Sequence, residues 1–97
     1  MSQAHVTADD HYLLLYDYVE DMADRRGPYR EAHVGRIRAS QDEGRIVMAG
    51  ALGDPPHGAA IVFKGATRQE IEQFIEDDPY VEADLVTKWY IERLKLV

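Results

Sequence analysis

Residues 12–19 constrain the fold more than any other segment, because they are apolar on both faces of the strand they predict. The segment contains no glycine or proline, and most of its side chains suit a pleated surface. Alternate residues of a strand point to opposite sides. Tyrosine and leucine occupy one side here, and leucine, aspartate and valine occupy the other. Such a strand must be covered on both sides, so each face of its sheet needs a separate layer.

A long helix is predicted from residue 28 to about residue 43. Pro28 suits the first position of a helix, and Gly44 can close the helix in the left-handed conformation. The residues that recur at helical spacing and predict the buried face are Tyr29, Ala32, His33 and Ile37. The residues expected to face water are Arg30, Glu31, Arg38 and Asp42. The preceding residues 20–27 predict a loose turn or an irregular helical turn.

The middle of the chain predicts a β-hairpin. Residues 46–52 and 59–63 form short apolar runs, each too short for a helix. Residues 53–58 between them contain two prolines, which cannot continue a strand ladder. Gly50, inside the first run, marks a bulge or a place where a ligand approaches the backbone.

A second helix and a last strand complete the chain. Thr67 and Glu70 match a capping box, so the helix begins at Thr67. Its apolar stripe consists of Ile71, Phe74 and Ile75. Pro79 ends the helix, because the residue before a proline is driven out of helical geometry. Residues 80–84 predict a short turn, and residues 85–97 predict the final strand.

The order strand–helix–strand–strand–helix–strand predicts an α+β fold with a ferredoxin-like βαββαβ arrangement. Its four-stranded antiparallel sheet carries both helices on one face. The other face is apolar and has no helix to cover it. A second copy of the sheet is the natural cover, so we expect a homodimer, with the tyrosine side of the first strand buried at the dimer face.

Length and charge restrict the number of domains and the possible partners. The 97 residues suffice for one domain, which we expect over residues 11–97, with residues 1–10 as a flexible arm. The formal charge of -7 disfavours nucleic acid and anionic membranes as partners. The chain has no cysteine and no run approaching the ~20 apolar residues of a membrane span, which predicts a cytoplasmic protein.

Three segments together resemble the YCII-related family. They are residues 30–33, which end in His33, residues 44–50, which enter the hairpin, and residues 77–81, which contain an Asp-Pro-Tyr element. The resemblance extends from about His11 to Val97. It implies a dimeric α–β barrel and an active site formed by His33 and Asp78. It also implies that the substrates are small, often cyclic or aromatic compounds that undergo elimination or isomerisation.

A histidine beside a carboxylate can exchange a proton near neutral pH, and the carboxylate fixes the tautomer of the ring. The working hypothesis is therefore cofactor-free proton abstraction from a carbon acid, with His33 as the base. A small hydrophobic or aromatic ligand suits the predicted cleft. The expected substrate-binding residues are Arg30, Met48, Gly50, Tyr80 and Trp89. We expect no metal site, because the other histidines are scattered.

Alternative interpretations of these residues remain open. His33 could be a core residue satisfied by one hydrogen bond, Asp78 a helix stop, and Arg30 a solvated helix residue. The chain would then be a non-catalytic module for ligand binding or dimerisation. Related dimeric barrels also include cofactor-independent oxygenases, although fold analogy is a weak guide to function. Convergence of His33 and Asp78 on a partly open pocket favours catalysis, and burial of His33 in a sealed core favours a structural role.

Overall fold

A computed structural model describes residues 10–97. The predicted flexible arm, residues 1–10, lies outside the described residues except for Asp10. The described residues form, in chain order, β1 His11–Tyr18, α1 Met22–Arg25, α2 Gly27–Asp42, β2 Ile46–Leu52, β3 Gly58–Lys64, α3 Arg68–Glu76, α4 Pro79–Glu82 and β4 Val86–Leu94. The short helix α1 lies in the segment predicted as a loose turn or an irregular helical turn, and α4 lies in a segment predicted as a turn. The last strand ends at Leu94 rather than at Val97.

The four strands form one antiparallel sheet in the order β2-β3-β1-β4. In the two central strands Leu14 pairs with Ile61, and Leu14 also faces Ile91 of β4. The predicted α+β, ferredoxin-like fold is confirmed. Since β1 lies between β3 and β4, it is an interior strand, as expected from its two apolar faces.

The helices cover one face of this sheet. Leu14 and Tyr16 of β1 lie in the same buried cluster as Ile71, Phe74 and Ile75 of α3. The even-numbered side chains of β1 therefore point towards the helices. The prediction that the tyrosine side forms the dimer face is wrong, because this side packs beneath α2, α3 and α4.

The uncovered face carries the odd-numbered side chains of β1. Leu13 pairs with Val62 and Leu15 pairs with Tyr90, so these residues share that face. Met48, which is 62% exposed, joins them by pairing with Val62. The sheet therefore presents an apolar surface that no helix of the described chain covers. Within residues 10–97, no helix is long and apolar enough to cross a membrane.

The ends of the helices follow the sequence closely. Thr67 and Glu70 form the predicted capping box at the start of α3. Gly44, just after α2, has a φ of 78°, the left-handed conformation that glycine tolerates best.

The buried face of α2 differs from the prediction. His33 is its buried residue, whereas Tyr29 and Ala32 are exposed. Several sides of α2 carry apolar side chains, so the spacing alone does not select one. Arg36 also fixes the rotation of the helix, since its guanidinium donates to Phe74 O at 3.0 Å and lies over the Phe74 ring.

Candidate active site

The junction between α3 and α4 positions Asp78. Pro79 begins α4, and the residue before it takes an extended backbone, with φ -73° and ψ 124° at Asp78. Asp78 is therefore the N-cap of α4, and its Oδ1 accepts a hydrogen bond from the Tyr80 amide at 3.0 Å. The side chain is fully buried. A helix stop in the sequence thus places a carboxylate inside the protein.

His33 and Asp78 converge as the sequence predicts. Nδ1 of His33 lies 2.8 Å from Asp78 Oδ1, although 45 residues separate them in the chain. The Tyr16 hydroxyl donates to the other oxygen, Oδ2, at 2.8 Å. With the Tyr80 amide, the carboxyl group thus faces donors on both oxygens, the environment of an ionised acceptor. In the tautomer in which Nδ1 donates to Asp78, Nε2 keeps a free lone pair.

The position of Nε2 decides whether this lone pair is usable. Every buried polar side-chain atom within residues 10–97 has a hydrogen-bond partner. Nε2 of His33 makes no hydrogen bond to the described part of the chain, so it is not among the buried atoms. The His33 side chain is 7% exposed, and His33 lines a cavity. The ring is therefore held from behind by Asp78 and reaches solvent through the cavity.

Aromatic rings fix the imidazole plane. Tyr80 stacks on His33 with a centroid separation of 3.8 Å and an interplanar angle of 12°. Tyr18 meets Tyr80 edge to face at 5.9 Å. The stack and the hydrogen bond to Asp78 together leave His33 little freedom to turn.

Burial keeps the tyrosine hydroxyls of this site neutral. It raises the pKa of Tyr16 far above its usual value, and the nearby Asp78 charge raises it further. Burial also raises the pKa of Tyr18, with smaller contributions from Tyr80 and Asp78. The pKa of Tyr80 is raised by burial, against the opposing charges of Arg26 and Arg30. All three groups are therefore hydroxyl donors at neutral pH, not phenolates.

The cavity has a volume of about 270 Å³ and lies between α2 and the β2–β3 half of the sheet. It is lined by Tyr18, Arg26, Arg30, His33, Val34, Ile37, Arg38, Gln41, Ala49, Gly50, Ala51, Ala59, Ile61 and Tyr80. An apolar cavity of about 150 Å³ can hold benzene, so this one has room for a single substituted ring. No carboxylate from the described part of the chain lines it.

The structure brings most of the predicted site residues to this cavity. His33, Arg30, Gly50 and Tyr80 line it, and Asp78 lies directly behind His33. Gly50 leaves room there, since an added Cβ would meet nothing within 4 Å.

Met48 and Trp89 lie outside the lining. Met48 is on the uncovered face of the sheet, because β2 shifts register between Ile46 and Met48. Trp89 pairs with Tyr16 on the helix-covered face, but it belongs to the edge strand β4 and is 39% exposed.

Four tyrosine and arginine residues of the cavity and of the Asp78 network were not predicted as site residues. Tyr16 and Tyr18 were assigned to the dimer face, and Arg26 and Arg38 were not considered as ligand-binding groups. The sequence contains a pattern that could have identified the arginines as a group. Arg26, Arg30 and Arg38 are spaced by four and eight residues and so share one helix face. Within residues 10–97, no group of three or more His, Cys, Asp or Glu side chains could hold a metal ion.

Comparisons with known proteins agree with the fold. The YCII-related domain family model matches residues 11–95. The solved structure of 5-chloro-2-hydroxyhydroquinone dehydrochlorinase from Burkholderia phenoliruptrix, in complex with 2,5-dihydroxybenzoquinone, is similar with a TM-score of 0.77 and 19% identity. The alignment covers 90% of this chain and 95% of that chain.

A provisionally assigned antibiotic biosynthesis monooxygenase from Bacteroides thetaiotaomicron is also similar. Its TM-score is 0.56 at 14% identity, with 91% of this chain and 89% of that chain covered. These neighbours are dimeric α–β barrel proteins, which is the predicted fold class. A comparison with functionally curated proteins found no match.

Proposed function

The chain belongs to the YCII-related domain family, and from this premise we propose that it is a small cytoplasmic enzyme that acts as a homodimer. It uses the His33–Asp78 pair for cofactor-free proton transfer on a small cyclic or aromatic compound. The observation that carries the proposal is the 2.8 Å contact between Nδ1 of His33 and buried Asp78, in a histidine that lines the cavity.

The atoms and electrons of the proposed proton transfer balance without a cofactor. Nε2 of His33 takes a proton from a carbon of the substrate, and the electron pair of that C–H bond stays on the carbon framework. In an elimination, the pair forms a new double bond while a leaving group departs with its bonding electrons. In an isomerisation, the imidazolium returns the proton to a different carbon. Asp78 stabilises the imidazolium in both cases.

The cavity favours compounds with one ring. A volume of about 270 Å³ suits a single substituted ring, and the wall formed by Val34, Ile37 and Ile61 is apolar. The neighbouring dehydrochlorinase acts on a hydroxylated, chlorinated hydroquinone and binds 2,5-dihydroxybenzoquinone. Hydroxylated hydroquinones, with and without a halogen, are therefore the first compounds to test.

The experiment measures the removal of carbon-bound hydrogen directly. A panel of hydroxylated hydroquinones is incubated with the protein in deuterated buffer, and NMR follows loss of C–H signals together with halide release. His33→Gln should lower the rate at least about 100-fold, the lower range of general base catalysis. Circular dichroism should show the same fold.

A matched control is available on the β2–β3 connection. His57→Gln alters an exposed histidine outside the cavity and should leave the rate unchanged. Equal rates for the wild type and His33→Gln would rule out His33 as the base.

The 6% exposure of His33 favours a second candidate, a non-catalytic module that binds a small ligand in the same cavity. This module would bind ring compounds without exchanging their hydrogens. Calorimetric binding with no exchange on any member of the panel would therefore support the module and contradict the enzyme. An oxygen electrode run on the same samples tests the third reading, a cofactor-independent oxygenase.

A further inference from the structure

The arginines of this chain divide into three groups by what their guanidinium groups contact. Four of them, Arg25, Arg45, Arg68 and Arg93, form ion pairs with carboxylates. Arg36 donates to a backbone carbonyl and lies over an aromatic ring. The other three, Arg26, Arg30 and Arg38, have no carboxylate partner within residues 10–97, and all three line the cavity beside His33.

This grouping is unexpected for a chain of such composition. The protein carries 18 acidic residues against 11 lysines and arginines, so carboxylate partners are abundant. Among the described residues, none of those that line the cavity is acidic. Three guanidinium groups around one cavity, none of them paired with a carboxylate of residues 10–97, create a local positive potential within a protein of net charge -7.

Helix geometry brings the three arginines to the cavity. Arg26 directly precedes α2, Arg30 follows one turn later, and Arg38 lies two turns beyond Arg30. Val34 and Ile37 occupy the same face between them and also line the cavity. The wall formed by α2 is thus apolar at its centre and cationic at both ends.

We propose that the cavity binds its ligand as an anion, a single-ring organic acid whose ionised oxygen is held by Arg26 and Arg30. The inference rests on the proposed function, because it names the chemical class of the compound that His33 would act on. The ring lies against Val34 and Ile37, and the ionised oxygen faces the end of the cavity where Tyr80 and His33 stack. Arg38 serves a second polar substituent at the far end.

The charges around Tyr80 agree with this placement. Arg26 and Arg30 both act on Tyr80 to lower its pKa, against the effect of burial. Their guanidinium groups are therefore close enough to stabilise negative charge beside the Tyr80 hydroxyl. A phenolate, enolate or carboxylate oxygen at this point would accept charge-assisted hydrogen bonds from them.

The test uses 4-nitrophenol and its neutral methyl ether, 4-nitroanisole. Both have one ring of suitable size, and the phenolate absorbs visible light whereas the neutral phenol does not. Binding is measured by calorimetry, and the protonation state of bound 4-nitrophenol is followed by absorbance against pH. We expect the phenolate to bind at least about tenfold more tightly than the ether, and the protein to lower the pKa of the bound phenol.

Variants assign the effect to the arginines. Arg30→Gln and Arg26→Gln should each weaken phenolate binding about tenfold, the loss of one charge-assisted contact, and should leave binding of the ether unchanged. The matched control is Arg25→Gln, whose guanidinium pairs with Asp21 and does not line the cavity. It should leave both affinities unchanged.

The same titrations on His33→Gln separate the two proposals. Preference for phenolate in this variant supports the anion site whether or not the wild type is catalytic. Equal binding of the phenolate and the ether, no binding of the phenolate, or equal losses in all three arginine variants would overturn the anion site. None of these results depends on turnover.

Discussion

The hydroxyl of Tyr16 donates a 2.8 Å hydrogen bond to Oδ2 of Asp78, on the opposite side of the carboxyl group from His33. Tyr16 is 1% exposed and Asp78 is fully buried. The central strand of the sheet is thus linked to the imidazole through one carboxylate. This contact makes Tyr16 a positioning residue, because it acts on His33 only through Asp78.

Tyr16→Phe removes that hydrogen bond and keeps the ring. We expect the free energy of unfolding to fall by about 1–3 kcal/mol, because one buried carboxylate oxygen loses its donor. Chemical denaturation measures the change. Tyr12→Phe is the matched control on the same face of β1, and its half-buried ring lies near Arg93, away from the cavity. A loss in Tyr12→Phe equal to that in Tyr16→Phe would contradict the role of the hydrogen bond.

Alkaline pH should destabilise the protein through the same tyrosines. In the unfolded chain the pKa of a tyrosine is about 10. Burial raises the pKa of folded Tyr16 and Tyr18 above that value. The folded state therefore keeps protons that the unfolded state releases, and stability is fully present below about pH 10 and falls as the pH rises further. Across this pH range, the free energy of unfolding of Tyr16→Phe should fall less steeply than that of the wild type. Equal falls in the two proteins would refute the assignment of the pH dependence to Tyr16.

Asp78 should be the most sensitive side chain of the site. Asp78→Ala leaves His33, the Tyr16 hydroxyl and the Tyr80 amide without their shared acceptor, so we expect a loss of about 3–5 kcal/mol in unfolding free energy. The adjacent Asp77 is exposed and accepts only from the Gln73 side chain within the same helix turn. Asp77→Ala should therefore change stability by less than about 0.5 kcal/mol. Similar losses in both variants would contradict this account.

The sequence sufficed for the four strands, the two longer helices and their order, because local rules decide them. The Thr67–Glu70 capping box, Gly44 and Pro79 each act within one or two turns of chain. The convergence of His33 and Asp78 also followed from the sequence, through the family resemblance and the packing of both helices on one sheet face.

Orientation could not be predicted in the same way. Both faces of β1 are apolar, so nothing local decides whether Tyr16 or Leu15 points to the helices. Tertiary packing decides it. Met48 shows the effect of one irregularity, because the register shift after Ile46 turns Met48 to the uncovered face. Strict alternation would have placed both residues on the same side.

The uncovered face leads to a prediction about assembly. Leu13 lies at its centre, paired with Val62 and Glu92 of the flanking strands. We expect the wild type to sediment at twice the chain mass of 11.1 kDa, and Leu13→Lys to sediment as a single chain. Burying the lysine in the interface costs its desolvation free energy, which opposes association even with Glu92 beside it. Glu76→Lys, on the exposed side of α3, should remain dimeric. A monomeric wild type would contradict the proposed dimer.

Gly58 lies where β3 meets the site-bearing part of β1. An added Cβ would overlap the carbonyl oxygen of Tyr16, which is backbone and cannot move away by rotation. Gly58→Ala must therefore displace β1 or β3 next to the Tyr16–Asp78 hydrogen bond. We expect a loss of about 1–3 kcal/mol in unfolding free energy, typical of overpacking, together with slower proton exchange on a true substrate.

Replacement of a second glycine by alanine should have the opposite effect on stability. Gly35 lies inside α2, and an added Cβ there would meet nothing within 4 Å. Gly35→Ala should stabilise the protein by about 0.5–1 kcal/mol, because alanine loses less backbone entropy than glycine in a helix. Thermal and chemical unfolding of both variants measure the difference. If Gly58→Ala were as stable as Gly35→Ala, the close approach of β3 to Tyr16 would not restrict residue 58, and the site would tolerate movement of β1.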